Sequence, residues 1–294
     1  MFHVVSNFPL AGASALRGGA RPQGYRWRRG RSLEIFGDPC LTRKLKLIIE
    51  YEGTRYHGWQ VQPNGITIQE VLQDCLKKIT RENGAVVGSG RTDAGVHAEA
   101  QVAHFQTAST MTPHQFLMAF NRLLPHDIAV KNVAEVPDDF HAQRSAVRKI
   151  YRYTILNREY PSVLLHDQCW FIQYPLDVKS MQLAKSYLEG KHDFSAFRAS
   201  NCEARNPIRE IYKIGISKKG DFITFDFDGN GFLKYMIRNI VGTLVQVGRK
   251  KIKAQELKTI LESRDRRNAG PTARPYGLCL VAVFYNESGI QKET

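Results

Sequence analysis

Apolar and polar positions fall into strand and helix periods from Lys44 onward. Leu45–Tyr51 reads as a buried strand. Thr67-Ile-Gln-Glu70 is a capping box, and Ile68, Val71, Leu72, Cys75, Leu76 and Ile79 then share one helix face. Ala85–Val87 and Gln101–Gln106 read as strands flanking a glycine-rich loop. Thr112-Pro113 supplies an N-cap and an N1 proline for a helix through Leu124. Strands at 127–134 and 149–156 follow, then a helix from Asp177 to Glu189. Strands at 208–217 and 221–228 flank Lys218-Lys219-Gly220-Asp221, which predicts an antiparallel hairpin. A turn at Gly229-Asn230-Gly231 leads into a helix over 232–247, and a last strand spans 278–285. The rhythm predicts an α+β fold: two similar halves of mostly antiparallel sheet, helices packed on one face, and a cleft between them. The expected halves are 44–145 and 146–285, with a short tail at 286–294.

The first 43 residues break the pattern. Arg17, Arg21, Arg26, Arg28, Arg29 and Arg31 stand there among Gly, Ala and Ser, with no periodicity, so a disordered basic extension is expected. Asn7 and Pro9 interrupt its apolar stretch, which argues against a secretory signal. A basic tail or an over-extended start is preferred to an organelle transit peptide, and the expected location is the cytoplasm.

Composition narrows the class. The 294 residues are 43% hydrophobic, enough to bury a core and to exclude wholesale disorder. No apolar run reaches the roughly 18–20 residues of a membrane-spanning helix. Lys and Arg total 42 against 28 Asp and Glu, a net charge of +14, of which +8 remains beyond residue 44. Such an excess points to a polyanion, either nucleic acid or an acidic membrane surface.

Five scattered cysteines give neither a disulfide framework nor a zinc spacing. No HExxH pair, P-loop or complete dinucleotide fingerprint occurs, so neither metal nor cofactor is expected.

Three stretches could carry chemistry. In Ser89–Ala98, Asp93 sits between Gly90 and Gly95, with Arg91 two residues away. An arginine at that range would hold the carboxylate ionised and lower its pKa, suiting it to nucleophilic work; an Arg–Asp pair merely tying a turn fits as well. In Lys149–Ile155, alternation puts Tyr151, Tyr153 and Ile155 on one face and Arg152 on the other, for stacking on a base or for core packing. In Gly231–Gly242, Arg238 falls at the rim of the stripe Leu233, Met236, Ile237, Ile240, Val241, Leu244 and Val245. It could snorkel, or reach a carboxylate or phosphate.

With these stretches go Tyr51-Glu-Gly-Thr-Arg-Tyr-His-Gly-Trp-Gln60, Gln101–Phe105, Phe140-His-Ala142, His192–Phe197 and Ala269–Leu278. Together, and in this order, they resemble the TruA-type tRNA pseudouridine synthases over nearly all of residues 44–285. The resemblance implies that Asp93 is the catalytic aspartate attacking the target uridine, and that Tyr151 contacts the base and helps remove its C5 proton. Arg238 would pair with the carboxylate, and Arg91 would help displace the target base. It also implies action on uridines 38, 39 and 40 of the tRNA anticodon stem-loop, a homodimer, and no cofactor or metal. Arg274-Pro275 departs from the family's more usual Ala-Pro or Pro-Ala step, and residues 1–44 have no counterpart in compact members. The isomerisation gains no atoms and involves no redox change, consistent with the missing fingerprints. The rival readings are a related synthase with another RNA target and a non-catalytic RNA-binding protein of the same fold.

Overall fold

Alternation settles the first strand. In β1 (Arg43–Tyr51), Leu45, Leu47, Ile49 and Tyr51 all turn to one buried face. The computed structural model describes residues 42–286; the expected extension, but for its last two residues, and Glu287–Thr294 of the expected tail lie outside the described residues.

The two main first-half helices start where the caps predict. Thr67 Oγ1 accepts from the Glu70 N–H at 3.4 Å to open α1 (Ile68–Thr80). In α2 (Pro113–Leu123) the capping box is reciprocal, Thr112 Oγ1 accepting from Gln115 N–H and Gln115 Oε1 from Thr112 N–H. Phe116 and Phe120 of α2 pack on Phe105 of β3 (His97–Thr107), with ring centroids 5.4 and 6.1 Å apart. The other face of β3 carries Val102, which clusters with Val136, Phe140 and Ala142.

The remaining strands are β2 (Val87–Gly88), β4 (Ile128–Val136), β5 (Ala146–Asn157), β6 (Trp170–Ile172), β7 (Gly190–Asp193), β8 (Ile208–Lys219), β9 (Phe222–Gly229) and β10 (Leu278–Tyr285). They form one mixed, mainly antiparallel sheet in the order β4-β1-β3-β10-β5-β9-β8-β7, with β2 beside β3 and β6 beside β5. Only β10–β3 and β5–β6 pair in parallel among the described residues. Strand β10 thus joins β3 to β5: Leu280 pairs with Ala98 on one side and with Tyr151 on the other.

The second half departs from the pattern at five elements. The helix expected to Glu189 ends as α3 (Val178–Lys185) and tightens into a 3₁₀ turn at Ser186–Leu188. Helix α4 (Met236–Gly248) begins four residues later than expected, because Tyr235 takes a left-handed conformation (φ 64°) that no α-helix accommodates. Its stripe is also not the only buried surface, since Asn239, Gly242 and Thr243 are enclosed as well. The segment after Ala269 lies on them: a Cβ on Gly242 would stand 1.7 Å from the Pro271 carbonyl oxygen. Helix α5 (Glu256–Ser263) and the short strands β6 and β7 have no counterpart in the pattern. No described helix is long and apolar enough to cross a membrane.

Candidate active site

The loop between β2 and β3 is fixed on both sides of Asp93. Ser89 Oγ donates to Gln101 Oε1 at 2.7 Å, and Gln101 Nε2 donates to the Gly90 carbonyl at 3.0 Å. Thr92 Oγ1 shares a 2.8 Å hydrogen bond with the Tyr51 phenol, and the Thr92 carbonyl accepts from Trp59 N–H at 3.1 Å. Close approach needs a glycine at Gly58 (φ 86°), where a Cβ would stand 2.6 Å from that same carbonyl. Beyond Asp93, the Val96 N–H returns to the Asp93 carbonyl at 3.1 Å, closing a turn through Gly95 (φ 76°).

Opposite this loop, α4 presents Arg238. Its Nη1 donates to Asp93 Oδ2 at 2.9 Å, and its Nε donates to the Ala273 carbonyl at 2.9 Å. The guanidinium carbon lies 4.7 Å from the Tyr235 ring centroid, so the left-handed turn before α4 supplies a flat wall for the arginine. The Arg238 and Asp93 side chains are only 12% and 18% exposed, unlike most of the protein's ion pairs. A partly buried pair of this kind is strongly destabilised if either partner is removed alone.

Burial pushes the Asp93 carboxyl above its ordinary value, and Arg238, then Lys234, pull against that without cancelling it. The expectation of a carboxylate lowered by Arg91 is therefore corrected in both partner and direction. Arg91 turns away: its Nη1 donates to Glu203 Oε2 at 2.7 Å, in an exposed pair on the loop before β8. Thr92 is drawn inward by Tyr51, and that inward turn puts Arg91 on the solvent side.

Tyr151, Tyr153 and Ile155 are buried on one face of β5, while Arg152 faces out to Asp226 at 2.8 Å. Tyr151 packs edge-on against Phe232, with centroids 5.4 Å apart. Burial raises its phenol, and the Tyr51 and Asp93 groups add to the rise, so at neutral pH it is an uncharged donor. Tyr153 is structural, its hydroxyl donating to the Arg274 carbonyl at 2.7 Å.

The structure thus brings Asp93, Arg238 and Tyr151 together and leaves Arg91 at the rim. Tyr51, Phe232 and Tyr235 belong to the same site and are missed by pattern reading, because each looks like an ordinary core or turn aromatic. No group of three or more His, Cys, Asp or Glu able to hold a metal occurs among the described residues. A buried carboxylate, an arginine on it and a neutral phenol beside it can stabilise a charged nucleophile and stack a planar ring.

Comparison with known proteins gives the family. The family described as tRNA pseudouridine synthase matches residues 47–143 and 184–286, and the chain belongs to that family of isomerases. It is 48% identical over 243 residues to the tRNA pseudouridine synthase A of Thermoanaerobacter sp. (strain X514), covering 83% of this chain and all of that one. The protein of the same name from Myxococcus xanthus is 46% identical over 245 residues, covering 83% of this chain and 92% of the other. A crystal structure of a Cbf5-Nop10-Gar1 complex is a distant likeness, at TM-score 0.33 and 13% identity over 82% of this chain and 59% of that chain.

Proposed function

We propose that this protein converts uridine to pseudouridine in tRNA, at positions 38, 39 and 40 of the anticodon stem-loop, with Asp93 as nucleophile. The observation that carries the reading is the Asp93–Arg238 pair, made by residues 145 apart in sequence and held by backbone contacts on both sides. Such a pair favours the ionised carboxylate, the form nucleophilic attack needs, against the desolvation that raises its pKa. The reaction breaks N1–C1′, turns the ring over and joins C5 to C1′; the C5 proton leaves and N1 gains one, so the formula is unchanged. Tyr151, as a neutral phenol, offers the ring a stacking face and a hydrogen bond, and removal of the C5 proton through it requires a second acceptor. A base inside a stem must first leave the stack, at a cost of about a few kcal/mol. Arg91 is suited to occupy the space it leaves, once freed from Glu203.

The protein acts as a homodimer in this reading, with RNA lying along a basic cleft between the halves, in a reducing, cytoplasmic setting. The free thiols of Cys75, Cys169, Cys202 and Cys279 support the last point. Release of tritium from 5-tritiated uridine in tRNA tests the activity. Wild type is expected to release it and Asp93→Asn to release none; a silent wild type overturns the enzyme reading, and an active Asp93→Asn overturns the role of Asp93. Carbodiimide-primed reverse-transcription stops then locate the product. Stops elsewhere than 38–40 favour a related synthase with another RNA target.

A further inference from the structure

Two neighbouring cations, one of them seated on the Asp93 loop, have no counter-charge among the described residues. Lys149, on β5, donates from Nζ to the Ser89 carbonyl at 2.7 Å. It lies so close over the loop that a Cβ on Gly90 would stand 2.8 Å from Nζ. Lys149 pairs with Gly229 on β9, and Gly229 pairs with Ile211 on β8. Two residues before Ile211 stands Arg209, whose Nη1 donates only to the Asn206 and Ile208 carbonyls, at 2.9 and 2.6 Å. Its Nε lies 4.0 Å from where a Cβ on Gly231 would be, next to the Phe232 that packs on Tyr151.

Neither Lys149 nor Arg209 forms an ion pair with a carboxylate among the described residues. The contrast on the same strand is direct. Arg148 and Arg152 are each matched by an aspartate of β9, Asp228 at 2.6 Å and Asp226 at 2.8 Å. Burial lowers the Lys149 ammonium to about 8, and the nearby Arg209 charge adds to that; burial also lowers Arg209. A carbonyl contact alone does not explain a lysine here. A neutral amide side chain would satisfy the Ser89 carbonyl without bringing a second desolvated charge beside Arg209. Three ammonium donors with one used, next to a guanidinium with its remaining N–H groups unused, suit an anion rich in acceptors.

We propose that Lys149 and Arg209 form a binding site for one backbone phosphodiester of the RNA, adjoining the nucleotide presented to Asp93. The assignment of the anion to RNA rests on the isomerase reading above. The phosphate completes the charge balance that the protein leaves open, and it fixes the target nucleotide's sugar against the Gly90–Asp93 segment. A side chain at Gly90 would press on the Lys149 ammonium and move it away from the loop.

The test uses the full-length protein and a stem-loop RNA in which single phosphates on either side of the target uridine are replaced by neutral methylphosphonates. Dissociation constants are read by fluorescence anisotropy at fixed salt. For wild type, one such replacement is expected to weaken binding about tenfold, the scale of one lost charge-assisted contact. Lys149→Met should weaken binding of unmodified RNA by a similar factor and show no further loss on that same phosphonate RNA. Lys149→Arg should restore both the affinity and the sensitivity. Arg209→Met, at a more exposed position, should show the same loss of sensitivity, and it carries the test alone if Lys149→Met fails to fold by circular dichroism.

Equal sensitivity of wild type and variants at every linkage overturns the site, as does a wild type indifferent to both replacements. Tritium release run in parallel separates the two readings. Coupling without release leaves the phosphate site standing and removes the isomerase assignment; release without coupling does the reverse.

Discussion

At Asp93, two effects of opposite sign meet: burial favours the neutral acid, and Arg238 favours the carboxylate. Activity that needs the ionised form falls as pH drops through the carboxyl's pKa. Removing the arginine raises that pKa further, so Arg238→Ala should move the acid limb of a single-turnover pH–rate profile to higher pH. Loss of a charge partner at a reacting group also predicts a rate at neutral pH lower by about 10²-fold. An unmoved acid limb would mean that Arg238 acts only in binding. This pair shows where sequence reading stops. Residue chemistry alone offered Arg91, two positions away, while the true partner lies 145 residues on, and only the family resemblance joined them. What periodicity did show was Arg238 at the rim of its helix stripe, and that position is what lets it reach across.

A second residue-scale prediction concerns stability. His104 is buried beside Phe140 and His141, and its Nδ1 accepts from the Ala142 N–H at 3.2 Å. Burial first, then the His141, Lys44 and Arg144 charges, push its pKa down to about 4. Between about 4 and the ordinary value of 6.5, the unfolded chain binds a proton there that the folded one refuses. Stability should therefore fall as pH drops through this window, by about 1–2 kcal/mol after allowance for solvent screening. Urea midpoints at pH 7 and pH 4.5 check this. His104→Gln should lose less than wild type over the same interval.

Among the elements, those with caps and long periods were legible and the short ones were not. Thr67 and Thr112 mark helix starts because a side-chain oxygen there satisfies a free backbone N–H, a purely local effect. Helix α5 has three buried apolar positions in eight residues, too few to stand out and too short to be stable without its tertiary contacts. The late start of α4 depends on the left-handed backbone of Tyr235, a conformation that apolar periodicity does not signal. The covering of α4 by the segment after Ala269 likewise has no local signal. It has a sharp consequence: Gly242→Ala should destabilise by about 2–4 kcal/mol, because the new methyl meets backbone rather than a yielding side chain. Activity should fall with it, since Ala273 in that segment holds Arg238. Thr67→Ala, by comparison, should cost about 1 kcal/mol in chemical denaturation and leave turnover unchanged.

For the whole molecule, the division of +14 sharpens a prediction. The chain falls into two units, Met1–Cys40 and Leu41–Thr294. A protein starting at Leu41 keeps all the site residues and most of the positive excess. It should melt within a few degrees of the full chain and retain tritium release, with RNA affinity that still weakens steeply as salt rises. Loss of cooperative melting would show that the first unit is needed for the second.

Strand β10 has a consequence for how the protein is made. It follows every other described strand in the chain, yet it lies between β3 and β5, which carry the flanks of Asp93 and Tyr151. As synthesis proceeds from the first residue, the sheet holding Asp93 and the sheet holding Tyr151 can each form early, but no backbone ladder joins them until β10 arrives. The site is assembled last. A chain interrupted before Leu278 would carry Asp93, Tyr151 and Arg238 and still lack the strand that pairs with both β3 and β5.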